Sequence, residues 1–379
     1  FWLKPVANRT EVPRSPMALE LMALIARIVA MAGTAAALQH RSPCLRYPPG
    51  VHVVPLPEIQ RQFLLSVPVE FAREVPLVLG FHGFSDSPWY FNAFSDFSKH
   101  INRYGWLGIL PFGLDEHGTN GLGGVNACCP DDCLDDCCTK GLHLRQKNET
   151  ACRWSNAKDM SFIEEIVKWA GENTCIDQSK VFATGFSNGG VFTNYLACHA
   201  GHLIRAFAPI SGDNPALDCD VSHPISYVSI CGTADDEAMC QYSFEDTAES
   251  LSKLHNCAGA GPAGAPVTFQ RSATTSCKVW DACPQQNFVE VCRTEGLSHD
   301  ISGHLRPDST SYLRPGSDLD FAEYAFQKFS LLANGSMLFW GEPTDEQLRY
   351  KESQWPPPPH QDHIYLRNSY QAPSASTLS

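Results

Sequence analysis

A short run in the middle of the chain, residues 180–190, constrains the fold more than any other stretch. Apolar residues at 181–183 have strand character, and a Gly-x-Ser-x-Gly motif follows from Gly185 to Gly189. Residues 191–198 then show the apolar spacing of a helix. A strand, this motif and a helix in succession are typical of a sharp turn that exposes a nucleophilic serine, here Ser187. The dipole of the helix would favour negative charge beside that serine.

The surrounding sequence decides whether the motif is more than a glycine-rich turn, since glycine and serine are common enough for it to arise by chance. On both sides, apolar strands alternate with amphipathic helices. Residues 75–81 and 106–111 are almost unbroken apolar runs, as expected of strands buried on both faces. Further strands are predicted at 62–68 (an edge strand), 207–212, 225–231 and 287–292, and helices at 89–104, 159–170, 244–254 and 319–332. The alternation predicts an α/β fold, a doubly wound and mostly parallel sheet with helices on both faces.

The two ends of the chain differ in composition from this alternating middle. Residues 1–37 are predicted to be a leader with a signal peptide, because an apolar run there ends in small residues. An amphipathic helix of the folded domain is the alternative for that run. Residues 38–59 are Pro-rich and predicted to be irregular. Residues 60–332 are the predicted catalytic domain, with a Cys-rich insertion at 121–156, and residues 333–379 are predicted to be a disordered, Pro-rich tail.

Charge and cysteine content limit the surroundings in which the protein works. The formal net charge is −13, which argues against nucleic acids and anionic membrane surfaces as partners. The apolar run of the leader is too short for a transmembrane helix, so no stable membrane insertion is expected. Sixteen cysteines, with acceptor sequons at Asn148 and Asn334, favour an oxidising secretory route. We therefore expect a secreted protein.

A nucleophilic serine needs an imidazole to take its proton and a carboxylate to orient that imidazole. In a doubly wound hydrolase the order along the chain is serine, acid, histidine, each placed after a strand. Asp235 comes shortly after the predicted strand 225–231 and is the predicted acid, with Asp236 as the fallback. Asp213 and Asp300 are weaker alternatives, because neither follows a suitable third strand.

The predicted base is His299, which follows the strand 287–292 in a loop containing glycine and serine. His304, in the same loop, is the competitor. Most of the fourteen histidines are expected to be ordinary surface or core residues. Chain order and position after a strand are what favour His299.

Two backbone donors are needed where negative charge develops during attack on a carbonyl group. One is expected to be the N–H of Asn188, directly after the serine. The other is expected from the loop after residues 75–81, where the N–H of Phe84 is predicted to donate while His82 and Gly83 shape the loop. An ordinary turn between a strand and a helix is the alternative interpretation of that loop.

Four short segments carry these candidates: Leu-Val-Leu-Gly-Phe-His-Gly at 77–83, Thr-Gly-Phe-Ser-Asn-Gly-Gly at 184–190, Cys-Gly-Thr-Ala-Asp at 231–235 and Gly-Leu-Ser-His at 296–299. Together they resemble the secreted esterases of the polyhydroxybutyrate depolymerase and feruloyl esterase group. The resemblance covers about residues 60–332 and implies an α/β-hydrolase fold. It also implies that Ser187 is the nucleophile, Asp235 the orienting acid and His299 the base. The sequence after His299 departs from the family's Gly-His-x-Trp-Pro-Gly, which puts the adjoining substrate wall in question.

The Cys-rich insertion is longer than the resemblance leads us to expect. Five cysteines and four aspartates lie within residues 128–138, and these groups would suit zinc or calcium. In a secreted chain disulfides are favoured, so no metal is predicted. Connectivity cannot be deduced from sequence, although Cys257 and Cys283 resemble a pair seen in the family.

The resemblance implies a secreted serine carboxylester hydrolase that acts through an acyl-enzyme without a cofactor. Its partner would be an ester substrate, either feruloyl or acetyl esters on polysaccharide or a polyhydroxyalkanoate polyester. His82, Trp89 and Phe186 are the predicted substrate-binding residues, and the aromatic ones, with Tyr90, suit either class. A serine peptidase on the same fold is one alternative, although the sequence shows no gating domain. A non-catalytic secreted binding protein on a hydrolase scaffold is another.

Overall fold

The computed structural model describes residues 46–70, 74–83, 86–113, 157–212, 219, 222–235, 244–300 and 319–334. The chain divides into two compact units between Arg46 and Tyr47, and the described residues belong to the second unit except for Arg46. The predicted leader, the Cys-rich insertion and the tail beyond Asn334 lie outside the described residues. In the described ranges, no helix is both long and apolar enough to span a membrane.

A single sheet of ten strands organises the described part of the chain. The strands are β1 (Gly50–Leu56), β2 (Arg61–Val67), β3 (Val75–Phe81), β4 (Leu107–Pro111), β5 (Ile176–Phe186), β6 (Ala206–Ile210), β7 (Ser226–Gly232), β8 (Val267–Gln270), β9 (Thr275–Trp280) and β10 (Val289–Thr294). Their order is β1-β2-β4-β3-β5-β6-β7-β10-β9-β8. The six central strands, from β4 to β10, run parallel, and antiparallel pairs flank them on both sides. This is the mostly parallel sheet that the sequence predicted.

Six α-helices accompany the sheet in the described ranges: α1 (Pro88–Phe94), α2 (Phe97–Tyr104), α3 (Ala157–Asn173), α4 (Asn188–His199), α5 (Phe244–Leu254) and α6 (Phe321–Ala333). Ring contacts show that they cover both faces. Phe81 of β3 packs against Phe192 of α4, with ring centroids 5.1 Å apart. Phe182 of β5 packs against Phe329 of α6, with centroids 4.9 Å apart. Side chains on opposite faces of the sheet therefore pack against different helices, as a doubly wound sheet requires.

The N-terminal part of the sheet differs from the prediction. Residues 38–59 were expected to be irregular, but β1 lies there and pairs antiparallel with β2. An outermost strand tolerates Pro55, because one row of its backbone groups needs no partner in the sheet. The predicted edge strand at 62–68 is consequently an internal strand, since β1 covers one side of β2 and β4 the other.

Two other predictions needed correction. The single helix expected at 89–104 is two helices, because Asp96 adopts a left-handed conformation (φ 50°) between α1 and α2. Strands β8 and β9 were missed altogether; they extend the sheet beyond β10 by antiparallel pairing.

Several of the described cysteines form disulfides. Cys198–Cys219, Cys257–Cys283 and Cys277–Cys292 are bonded among the described residues, and the second of these is the pair that the resemblance implied. Cys175 and Cys231 are disulfide-bonded as well. The bond between Cys277 and Cys292 joins directly opposite residues of β9 and β10.

Candidate active site

The turn between β5 and α4 holds Ser187 in an unusual backbone conformation. Its φ is +56° and its ψ −120°, and its side chain caps no backbone N–H of the helix that starts at the next residue. Few residues other than glycine adopt a positive φ, and such outliers gather at functional sites. The flanking glycines are required by space: a Cβ on Gly185 would lie 2.4 Å from the Gly189 carbonyl oxygen, and one on Gly189 2.1 Å from that of Phe81. The sequence had predicted this sharp turn.

Asp235 and His299 form a hydrogen-bonded pair at the carboxyl ends of the parallel strands, the same end of the sheet at which Ser187 follows β5. Asp235 follows β7 and is fully buried, and His299 follows β10 with its side chain 15% exposed. Nδ1 of His299 lies 3.0 Å from each carboxylate oxygen of Asp235. Because an ionised carboxylate can only accept, Nδ1 carries the proton and donates it, which leaves Nε2 able to take another proton.

The loop after β3, the turn at Ser187 and the imidazole of His299 lie close together. A Cβ on Gly83 would lie 3.5 Å from Cβ of Ser187 and 3.9 Å from Cδ1 of Phe186. The Phe186 ring also lies 4.7 Å from the His299 imidazole, measured between centroids. Phe186, predicted to bind substrate, therefore lies close to both the loop and the histidine.

His82 is fully buried, and both ring nitrogens are engaged. Nδ1 donates to the Gly83 carbonyl at 2.9 Å, and Nε2 accepts from the Gly113 N–H at 3.3 Å. Burial lowers the pKa of His82 to about 4, so the imidazole is neutral near neutral pH. His82 thus has no exposed side-chain surface and holds the backbone of the loop in place, and its predicted contact with substrate stays a prediction.

A second titratable group lies a few residues further along the same loop. Asp86 donates its backbone N–H to the Gly83 carbonyl at 3.3 Å, and its carboxylate accepts the Ser87 N–H at 2.6 Å. Burial raises the pKa of Asp86 to about 7, although the hydrogen bond from Ser87 opposes that change. The loop therefore holds one buried histidine and one partly buried carboxyl group, both displaced from their usual pKa values.

Aromatic rings lead from the site to the surface along α1. Phe94 lies 5.5 Å from Phe186 in an edge-to-face arrangement, and Tyr90 lies 5.1 Å from Phe94. Tyr90 is 50% exposed. Trp89, also predicted to bind substrate, is half-buried and packs against the hydrophobic core. We call Phe186, Phe94 and Tyr90 the aromatic path.

Several predicted residues cannot be placed, since Phe84, Asp213, Asp236 and His304 lie outside the described residues. Asn188 is the first residue of α4, so its backbone N–H points from the start of the helix, as expected of a donor to an anion. In the described ranges, one group has the residue types of a metal site: Cys277, Glu290 and Cys292. Its two sulfurs are joined in a disulfide, and Glu290 is paired with Tyr324 and Lys328. That chemistry does not fit a metal ion.

Sequence reasoning missed the residues that follow β6. Ser211 has a positive φ of 46° and is fully buried, and Asn194 of α4 binds the carbonyl of Gly212 at 2.6 Å. The predicted strand at 207–212 ends in Ser-Gly, but only the fold brings these residues beside Ser187.

In comparisons with known proteins, the chain is similar to feruloyl esterases and to an acetylxylan esterase. It is 38% identical over 80 residues to feruloyl esterase D of Neurospora crassa, covering 21% of this chain and 28% of the relative. It is 40% identical over 82 residues to a probable feruloyl esterase C of Aspergillus flavus, covering 21% and 30%. A longer match, 20% identical over 242 residues, covers 64% of this chain and 31% of a bifunctional acetylxylan esterase/xylanase of Neocallimastix patriciarum. The chain thus spans less than a third of the length of these relatives. No family model matches the chain.

Among solved structures, an acetyl xylan esterase from Aspergillus awamori is 15% identical with a TM-score of 0.48, covering 66% of this chain and 94% of that one. An S-formylglutathione hydrolase from Agrobacterium tumefaciens is 12% identical with a TM-score of 0.43, covering 75% and 94%. The sequence matches bear out the predicted resemblance to feruloyl esterases and add one to an acetylxylan esterase, whereas the polyhydroxybutyrate depolymerase part stays a prediction.

Proposed function

We propose that the protein is a serine carboxylester hydrolase that works through an acyl-enzyme. The observation that carries this proposal is the hydrogen bond between His299 and Asp235. It lies at the carboxyl ends of the strands, where Ser187 is held in a strained turn. A serine so placed, with an imidazole whose Nδ1 is fixed by a buried carboxylate, has the parts of a nucleophile, base and acid. The similarity to feruloyl and acetylxylan esterases supports the choice of an ester bond.

The reaction would proceed in two halves. Oγ of Ser187 attacks the ester carbonyl while Nε2 of His299 takes its proton, and the resulting imidazolium is stabilised by the Asp235 carboxylate. The oxyanion accepts the Asn188 N–H, with the Phe84 N–H as the predicted second donor. The imidazolium then protonates the leaving alcohol as the C–O bond breaks. Water attacks the acyl-enzyme in the second half, which releases the acid and restores the serine.

We assign the substrates to esters on polysaccharide, with feruloyl and acetyl groups as the acyl candidates and polyhydroxyalkanoate polyesters as the less supported class. The names of the relatives support the polysaccharide. The aromatic path supports an acyl group with a planar ring, since aromatic side chains bind rings by stacking and edge contacts. Phe186 is the proposed inner contact, and Trp89 the proposed wall behind it.

We also propose that the protein is secreted. The three disulfides joining described cysteines support this, because structural disulfides persist in oxidising compartments and are rare in the cytosol. Expression with and without residues 1–37, followed by N-terminal sequencing of the exported protein, tests the predicted leader.

The activity is tested by measuring hydrolysis of p-nitrophenyl acetate, methyl ferulate and a hydroxybutyrate oligomer by the wild type and by Ser187→Ala. Turnover by the wild type and a loss of several orders of magnitude in the variant would support the proposal. The ester preferred by the wild type names the acyl class. An inert wild type, or a variant equal to it, would favour the binding-protein alternative. Turnover of a peptide amide in preference to the esters would favour the peptidase.

A further inference from the structure

The backbone at the end of β6 connects to the strands on both sides of it, β5 and β7. The carbonyl of Ile210 accepts the N–H of Ser187 at 3.0 Å. The next residue, Ser211, donates its own N–H to the carbonyl of Ile230 in β7 at 2.9 Å. One peptide unit thus connects the nucleophile's turn with the strand that leads to Asp235.

Ser211 has a second contact, with the loop that carries the histidine. Its hydroxyl lies 3.4 Å from the carbonyl oxygen of Asp300, the residue after His299, and donates to it. The Ser211 side chain is fully buried, and its φ is 46°. Ser187 and Ser211 both have a positive φ, and each directly follows a strand: Ser187 follows β5 and Ser211 follows its parallel neighbour β6. Strain of this kind persists where surrounding contacts hold the residue in place.

The surroundings of Ser211 leave it little freedom to move. A Cβ on Gly212 would lie 2.3 Å from the Ser187 carbonyl oxygen, so the segment packs directly against the nucleophile's backbone. Nδ2 of Asn194 donates to the Gly212 carbonyl at 2.6 Å, and Oδ1 of the same side chain accepts the Tyr227 hydroxyl at 2.6 Å. The segment is therefore fixed to α4 and β7 at once.

We propose that Ser211 is a positioning residue for the base: its hydroxyl anchors the carbonyl of Asp300 and thereby sets where His299 stands relative to Ser187. This inference rests on the proposed function, since His299 needs a set position only if it accepts the serine's proton. Ser211 touches neither the substrate nor the reacting atoms. It acts on the histidine through one backbone carbonyl, while its own backbone is tied to the nucleophile's turn.

The test compares Ser211→Ala, which removes the hydroxyl but keeps the Cβ, with Ser211→Gly, which removes both and suits a positive φ. Ser226→Ala is the matched control, because Ser226 is an equally buried serine whose hydroxyl donates to Asn287 Oδ1 at 3.0 Å. For each protein, kcat and KM are measured on the ester that the wild type prefers, together with the melting temperature.

Loss of one neutral hydrogen bond predicts that both Ser211 variants lower kcat about threefold to tenfold with KM unchanged. The control should keep its kcat, even if its melting temperature falls as far as that of Ser211→Ala. Ser211→Gly should melt no lower than Ser211→Ala, so one folded variant remains to be assayed. The proposal is overturned if an active wild type and the Ser211 variants share the same kcat, if KM changes instead, or if Ser226→Ala loses as much. An inert wild type refutes the proposed function, and this inference with it.

Discussion

The Phe186 ring and the His299 imidazole lie 4.7 Å apart, with their planes tilted by 33°. Phe186 immediately precedes Ser187, so the turn that presents the serine also supplies the surface on which the histidine rests. Phe94 also contacts Phe186, in an edge-to-face arrangement. The proposed nucleophile, the proposed base and the aromatic path thus meet at one side chain.

Asp235→Asn should lower kcat for p-nitrophenyl acetate by about four orders of magnitude, as expected when the carboxylate that fixes a histidine tautomer is replaced. The asparagine amide can donate to Nδ1, which turns the proton-carrying nitrogen toward the serine. Asp246→Asn, an exposed position in α5, is the control and should behave as wild type. Loss of less than tenfold in a folded Asp235→Asn protein would exclude Asp235 as the orienting acid.

Phe94→Ala should lower kcat/KM for methyl ferulate by up to about tenfold, since an aromatic pair contributes about 0.5–1.5 kcal/mol beyond the burial of area. Hydrolysis of p-nitrophenyl acetate by the same variant should stay unchanged, because an acetyl group is too small to reach the ring. Equal losses on both esters would show that Phe94 supports the fold of the site rather than the acyl group.

His82→Asn should make the free energy of unfolding depend less steeply on pH under acidic conditions. The folded pKa of about 4 lies below the ordinary 6.5, so protons bind the unfolded chain first, and wild-type stability falls between about pH 6.5 and pH 4. A single group of this kind changes the free energy of unfolding by at most about 1.4 kcal/mol per pH unit. Urea unfolding across that range should give a shallower slope for the variant. Parallel slopes would show that His82 is protonated equally in both states.

Asp86→Asn should have the opposite pH dependence. Burial raises the pKa of Asp86 to about 7 from 3.8, so wild-type stability is lost as the pH rises through 7 and the carboxylate ionises. The asparagine keeps an oxygen for the Ser87 N–H but cannot ionise. Relative to wild type, its melting temperature should therefore rise between about pH 4 and pH 7 and level off above pH 7. A constant difference across this range would contradict the buried-acid interpretation.

The central fold was predictable because its signals are local. Strand β3 has the bounds that its apolar run predicted, and α5 has the bounds of its predicted helix. The glycines around Ser187 were informative because each contacts backbone atoms that leave no room for a Cβ. The order serine, acid, histidine then selected Asp235 and His299 without knowledge of any contact between them.

The features that the sequence did not reveal depend on contacts with residues that are distant along the chain. Strand β8 alternates half-buried and exposed residues and has only four of them, so it lacks the apolar run that identifies a buried strand. Its place in the sheet follows from pairing with β9, which is held to β10 by the Cys277–Cys292 bond. Ser211 resembles any serine before a glycine until the fold sets Asp300 beside it.

The order of the strands has a consequence for the chain as it is synthesised. The turn at Ser187 can be completed once β3, β5 and β6 have assembled, whereas His299 follows β10, which is added beside β7 only later in the sequence. A chain that stops before Val289 would keep Ser187 but lack both β10 and His299. The hydrolysis that we propose would therefore be absent until translation has passed the last parallel strand.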